Sequence, residues 1–222
     1  MLLALDTSTR TMGVSLYDGV RVLGELLWRT QDYHTVELAP AVVATLAKSN
    51  VSASDLTVLA VAIGPGSFTG LRIGLALAKG LSLANHIPVV GIPTLDIVAS
   101  AQPLRKDRMA AVVQAGRGRL AVGWYKVVDG CWKLVSDLEI LTPLELNRRI
   151  RKPTLVCGEL TEDTRALLRR KRVNVILASP AESVRRPAYL AELGWQRWLA
   201  GHVDDPAILS PTYLHYNQRI PR

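Results

Sequence analysis

Apolar and polar positions trade places along the first 30 residues in a pattern that predicts three short strands. Leu2 to Leu5, Met12 to Tyr17 and Arg21 to Trp28 are separated by Asp6-Thr7-Ser8-Thr9-Arg10 and by the Asp18-Gly19 turn, which makes a meander. Thr35 then stands where a helix running to about Asn50 would be capped. Glu37 lies near the positive end of its dipole, and Pro40 falls early enough to be tolerated. Val58-Leu59-Ala60-Val61-Ala62-Ile63 has no polar face, as expected of a central strand covered on both sides. A glycine-rich turn, a helix from about Thr69 to Ala84, a strand at Val89 to Ile92 and a helix opened by Pro93 complete the first half.

The second half repeats this order in different letters. Met109 to Val113, Leu120 to Val127 and Trp132 to Leu141 predict three strands, followed by a short helix at Pro143 to Arg149 and a strand at Leu155 to Cys157. A helix at Thr161 to Lys171, a strand at Val173 to Leu177 and a helix at Pro187 to Leu199, ended by Gly201, close the chain. Two α/β lobes of βββαβαβα order are therefore expected. The divide is set near Gln102-Pro103-Leu104-Arg105-Lys106, giving residues 1–102 and 103–222, with the last helix and tail packing back on the first lobe.

Composition adds that 49% of the 222 residues are hydrophobic and 21% charged, enough for a substantial core. No apolar run approaches the ~18 residues of a membrane span, and Asp6 cuts the opening apolar segment with no basic residue ahead of it, so a cytoplasmic protein is expected. Cys131 and Cys157 have no metal-like spacing, and both are expected to be buried thiols. The net charge of +8 is uneven. Residues 1–100 carry 6 Lys/Arg against 7 Asp/Glu, so the whole excess lies in the second half. A basic surface attracts nucleic acid by neutralising phosphates, whereas a charge run such as Arg169-Arg170-Lys171-Arg172 is also the ordinary solvated face of a helix.

The segment from Gly64 to Gly74, Gly-Pro-Gly-Ser-Phe-Thr-Gly-Leu-Arg-Ile-Gly, follows a strand and opens a helix, the setting of an anion-binding loop. Three nucleotide or nucleophile motifs fail there. Thr69 occupies the sixth position from Gly64, where a Walker loop needs glycine before its lysine, and where the dinucleotide fingerprint also needs glycine. The nucleophile elbow fails because Ser67 is flanked two residues away by Pro65 and Thr69. What remains is packing: Gly70, Gly74 and Ala78 lie four apart on one helix face and permit close approach of a neighbour, internal or external. Glycine within a helix costs roughly 0.5–1 kcal/mol relative to alanine, so two on one stripe imply a tight fit.

Asp6, with the hydroxyls of Thr7, Ser8 and Thr9, sits at a hairpin able to hold a phosphate and a hydrated magnesium ion, or merely to satisfy its own turn. The equivalent turn of the second lobe, Gln114-Ala115-Gly116-Arg117-Gly118, supplies no matching acid. His34, His86, His202 and His215 stand singly, without ligand spacing, and read as surface or hydrogen-bonded residues. No metal site is expected.

Leu3-Ala4-Leu5-Asp6-Thr7-Ser8-Thr9, His34-Thr35-Val36-Glu37, the glycine segment and Pro211-Thr212-Tyr213-Leu214 together resemble the TsaB family, once called YeaZ. The resemblance is strong over roughly the first 100 residues and returns near the C-terminus. It implies the two-lobed actin and Hsp70-like (ASKHA, ribonuclease H-like) fold and a non-catalytic scaffold role in N6-threonylcarbamoyladenosine formation beside the tRNA anticodon. It further implies a TsaD-like catalytic subunit that carries the metal, a TsaE-like ATPase, contact with tRNA through the complex, and no cofactor of the chain's own. ATP or ADP and a metal ion are implied for the partner subunits, and a homodimer through the face that would hold TsaD is an expectation for the chain when TsaD is absent. The two first-lobe helices would hold TsaD, with Thr35, Leu38, Val42, Gly70, Leu71, Gly74 and Ala78 as interface residues. Asp6, Thr7, Ser8, Thr9, Gly64, Gly66 and Ser67 are the nucleotide-proximal candidates, and Arg169, Arg170, Lys171 and Arg172 the tRNA-proximal ones. The histidine pair and paired-glycine loop of TsaD-like chains are missing: Ile92 to Val98 holds no histidine, and Cys157-Gly158-Glu159 replaces the loop. An ATP-dependent phosphotransferase using Asp6 and a stand-alone tRNA-binding module are the competing readings.

Overall fold

Leu2–Asp6 (β1) is buried at every residue, because it is the middle strand of a sheet covered on both faces. It pairs antiparallel with Thr11–Tyr17 (β2) and parallel with Val58–Gly64 (β4), and Val22–Arg29 (β3) and Val89–Pro93 (β5) form the edges, in the order β3-β2-β1-β4-β5. The computed structural model describes residues 1–31, 33–171 and 173–214. The second sheet has the same plan. Arg108–Gln114 (β6), Leu120–Val128 (β7), Cys131–Leu134 (β8), Thr154–Gly158 (β10) and Val175–Leu177 (β11) run in the order β11-β10-β6-β7-β8.

One predicted strand, Trp132 to Leu141, is interrupted. Its second part, Glu139–Leu141 (β9), rejoins β7 at Leu120 to Val122 after β8 has paired with Tyr125 to Val128. Four residues, Val135 to Leu138, face only Gly123 and Trp124, so the ladder cannot stay in register across them.

Helix ends follow local chemistry. Phe68–Asn85 (α2) is capped by Ser67, whose side chain accepts from the Gly70 N–H. Pro143–Arg149 (α4) opens with a Thr142/Glu145 capping box, and Glu162–Arg169 (α5) with Thr161. His34–Lys48 (α1) starts one residue before Thr35, with Tyr33 at the cap position, so Thr35 lies inside the helix and caps nothing. The turn ahead of it is closed by the Tyr33 N–H donating to Thr30 Oγ1 at 3.0 Å.

The last helix of each half crosses to the other sheet. From Thr94–Ser100 (α3), Leu95, Val98 and Ala99 pack among Met109, Ala111 and Val113 of the second sheet. From Pro187–Leu199 (α6), Leu190 and Ala191 pack against Leu2, Ala4, Ala60 and Val90 of the first. Each leucine so buried contributes roughly 1.5–3 kcal/mol, and the exchange ties the lobes together. Beyond α6, Asp204 accepts from the Gly91 N–H at 2.7 Å and pairs with Arg197, and the Thr212 N–H donates to the Ile63 carbonyl at 2.7 Å. Of the two cysteines, Cys157 is buried and Cys131 is exposed at the start of edge strand β8, contrary to the expectation that both are buried. No helix among the described residues is long and apolar enough to cross a membrane.

Candidate functional site

The small-residue stripe of α2 turns inward. A Cβ on Gly74 would lie 2.3 Å from Thr7 Oγ1, and one on Gly70 2.2 Å from the Thr7 carbonyl, while Thr7 Oγ1 donates to the Gly70 carbonyl at 2.7 Å. Gly70 and Gly74 therefore admit the β1–β2 hairpin turn of their own lobe, and Ala78 is buried in that lobe's apolar core, so the stripe does not receive a foreign helix. Leu38 and Val42 are buried in that core and Leu71 is fully buried, which corrects the interface assigned to these six residues from sequence; Thr35 alone of the set is exposed.

The opposite faces of the same helices are bare. On α1, Val36 and Val43 are each 65% exposed, and Ala39, Ala44 and Ala47 lie on the same side. On α2, Leu83 is 68% exposed, Ala76 and Ala84 are exposed, and Gly80 has nothing within 4 Å of where a Cβ would stand. The helices adjoin each other, and their outer sides carry mainly alanine, glycine and aliphatic side chains. At the start of α2, Phe68 packs on Tyr213, Arg72 covers the Phe68 ring, and Arg72 Nε donates to the Tyr213 hydroxyl.

In the cleft between the lobes, the nucleotide-proximal candidates are brought together and occupy one another. The Ser8 N–H donates to Asp6 Oδ1 at 2.9 Å, Ser8 Oγ and Thr94 Oγ1 are 2.9 Å apart, and the Gly64 and Ser67 N–H groups donate to Thr94 Oγ1 and to the Ser8 carbonyl. Gly66 is required because a Cβ there would stand 2.1 Å from the Ser8 carbonyl oxygen. His34 is hydrogen-bonded to the Thr9 carbonyl at 3.0 Å.

Arg185, on the crossing between β11 and α6, is the residue that sequence reasoning missed. Its Nε donates to Asp6 Oδ2 at 2.5 Å, Nη1 to Glu159 Oε1 at 2.7 Å, and Nη2 to Thr9 Oγ1 at 3.0 Å and the Thr11 carbonyl at 2.9 Å. Only 2% of Arg185 is exposed; burial, the largest single influence, loosens its proton, but the Asp6 and Glu159 carboxylates together outweigh it and hold that proton more tightly than usual. Glu159 reaches this point because Gly158 adopts φ +104 where a side chain would collide with the Val112 carbonyl, and the Glu159 carbonyl accepts from Gln114. The cleft beside the cluster has a volume of about 610 Å³ and is rimmed by Arg10, Trp28, Arg29 and Arg165.

This donor set does not suit a metal-bound nucleotide. The carboxylate that would anchor a hydrated magnesium ion is neutralised by an internal guanidinium, and the Gly64 and Ser67 N–H groups of the loop are already taken by Thr94 and by the Ser8 carbonyl. Among the described residues no group of three or more His, Cys, Asp or Glu side chains is placed to hold a metal ion. Arg169 and Arg170 are exposed at the end of α5, Lys171 is partly buried against α4, and Arg172 lies outside the described residues.

A family model described as TsaD, tRNA N6-adenosine threonylcarbamoyltransferase, matches residues 28–141. The tRNA threonylcarbamoyladenosine biosynthesis protein TsaB of Bacillus subtilis is 30% identical over 222 residues, covering 96% of this chain and 93% of that one. The solved structure of YeaZ from Pseudomonas aeruginosa superposes with a TM-score of 0.78 at 26% identity over 96% of this chain and 99% of that one. The ROK hexokinase of Thermus thermophilus, at TM-score 0.50 and 12% identity over 90% of this chain and 99% of that one, shares the two-lobed fold alone. With its duplicated ASKHA-type lobes and its near full-length match, the chain belongs to the TsaB (YeaZ) family, within the wider family that the TsaD model describes.

Proposed function

We propose that the chain serves threonylcarbamoyladenosine formation on tRNA as a non-catalytic partner, docking a TsaD-like catalytic subunit on the outer faces of α1 and α2. The observation that carries this reading is the bare surface made by Val36, Val43, Gly80 and Leu83, in a protein whose cleft carboxylate is already paired with Arg185. Large aliphatic side chains exposed together on adjoining helices favour association with another apolar face. The same surface would carry self-association when the catalytic subunit is missing, with the two occupants competing for it. A TsaE-like ATPase and the tRNA then join through the complex, and nucleotide and metal chemistry belong to the TsaE-like and TsaD-like subunits.

Reconstitution tests this directly. Threonylcarbamoyl transfer to a tRNA transcript by the TsaD-like subunit should require this chain and survive Asp6→Asn in any preparation that stays folded. ATP turnover by the isolated chain, abolished by Asp6→Asn, would instead establish the phosphotransferase reading.

A further inference from the structure

The C-terminal ends of α4 and α5 are tied side by side in the second lobe. Asn147 Nδ2 donates to the Leu167 carbonyl at 3.2 Å, and Lys171 Nζ donates to the Asn147 carbonyl at 2.6 Å. The adjoining loops are drawn in by Asn174 Nδ2 to the Arg151 carbonyl at 3.3 Å and by Arg108 Nη2 to the Arg149 carbonyl at 3.4 Å. These bonds gather six exposed cations at one end of the lobe: Arg148, Arg149, Arg151, Lys152, Arg169 and Arg170.

Helix stabilisation accounts for only part of this charge. A helix C-terminus carries the equivalent of about −0.5 charge, so two ends are offset by about one cation between them. Nearby acids remove little more: Glu139 pairs with Arg149, and Glu145 sits in the capping box within electrostatic reach of Arg148 and Arg149. Glu162 and Asp163 lie at the far end of α5, roughly 10 Å away at ~1.5 Å per residue, which is about one Debye length at physiological salt. A concentrated positive field is left facing solvent.

We propose that this end of the second lobe is a docking surface for the phosphate backbone of RNA, which, resting on the function proposed above, is that of the tRNA. Five of the six cations are arginines, whose planar guanidinium forks match phosphate oxygens in pairs. Phosphate contacts of this kind fix position and orientation and carry no sequence information directly. It stands in the other lobe from α1 and α2, so RNA and the catalytic subunit are held together without competing.

The test is fluorescence anisotropy of a labelled, unmodified tRNA transcript titrated with the full chain between about 50 and 200 mM salt. Replacing Arg148, Arg151, Arg169 and Arg170 by Gln should weaken binding at least tenfold at the low end and lower the slope of log affinity against log salt by about three. Replacing the same four by Lys should keep most of the slope. A charge-matched control with Lys48, Lys106, Lys126 and Lys133 changed to Gln should change the slope by less than about one. Equal losses in the two Gln variants would reduce the effect to overall charge and overturn the proposal, as would unchanged binding by the first. Association of the first variant with the TsaD-like subunit, measured in parallel without RNA, separates the two readings. Retained association with lost RNA binding supports the surface as an RNA site, and lost association with retained RNA binding would make it a protein site.

Discussion

Asp6 and Arg185, 179 positions apart in the chain, form a buried ion pair in which each side chain is 1% exposed. The pair joins the first hairpin of one lobe to the crossing that leaves the other, and Glu159 makes it a triad. A buried ion pair adds little net stability, because desolvation consumes most of the attraction, but removing one member strands the other in a low-dielectric site.

Arg185→Ala should therefore lower unfolding stability by about 3–5 kcal/mol in urea titrations. Coupling Arg185→Met with Asp6→Asn should recover a large part of that loss, since no carboxylate is then stranded at Asp6. Arg185→Lys should not rescue, because one ammonium cannot span Asp6, Glu159, Thr9 and Thr11. A loss under about 1 kcal/mol for Arg185→Ala would show that the cluster is solvated and open.

Gly74→Ala introduces a methyl 2.3 Å from Thr7 Oγ1, in the hairpin that also presents Asp6. Overpacking of this kind costs typically ~1–3 kcal/mol, and the expected result is a lower melting temperature. The added methyl points away from the outer face, so affinity for a partner should be unchanged in the folded fraction.

Asp96 gives a pH signature. Burial raises its carboxyl pKa above the ordinary carboxylate range despite the hydrogen bond it accepts from Tyr125 at 2.7 Å. A carboxyl whose folded pKa exceeds its unfolded value of ~3.9 favours the native state when protonated. That contribution is complete below ~3.9 and is lost as pH rises through the folded value. Asp96→Asn should flatten stability over that window while keeping an acceptor for Tyr125; an unchanged pH profile would show that Asp96 is well solvated.

The sequence disclosed the fold through its period and its punctuation. Strand and helix order in both halves follows from alternating runs broken at Asp18-Gly19, Pro93, Thr142-Pro143 and Thr161, each a local signal. The site was less legible because it depends on direction. The spacing of Gly70, Gly74 and Ala78 reports close approach but not which neighbour approaches, and that neighbour proved to be Thr7. Arg185 left no trace, being one arginine beside another in Ser183-Val184-Arg185-Arg186, and only the crossing between sheets brings it to Asp6. The outer face did leave a signal in Val36, Val43, Gly80 and Leu83, apolar or bare positions on the side of each helix away from its buried stripe.

The docking face is tested most directly by isothermal titration of the TsaD-like subunit into Val43→Glu/Leu83→Glu and, side by side, into Gly74→Ala. The first variant buries two charges in the proposed interface and should lose at least ~2.8 kcal/mol of binding, about a hundredfold, with its fold intact. Folded Gly74→Ala should bind within about threefold of the unaltered chain. Full affinity in Val43→Glu/Leu83→Glu, with binding lost in Gly74→Ala, would contradict the account.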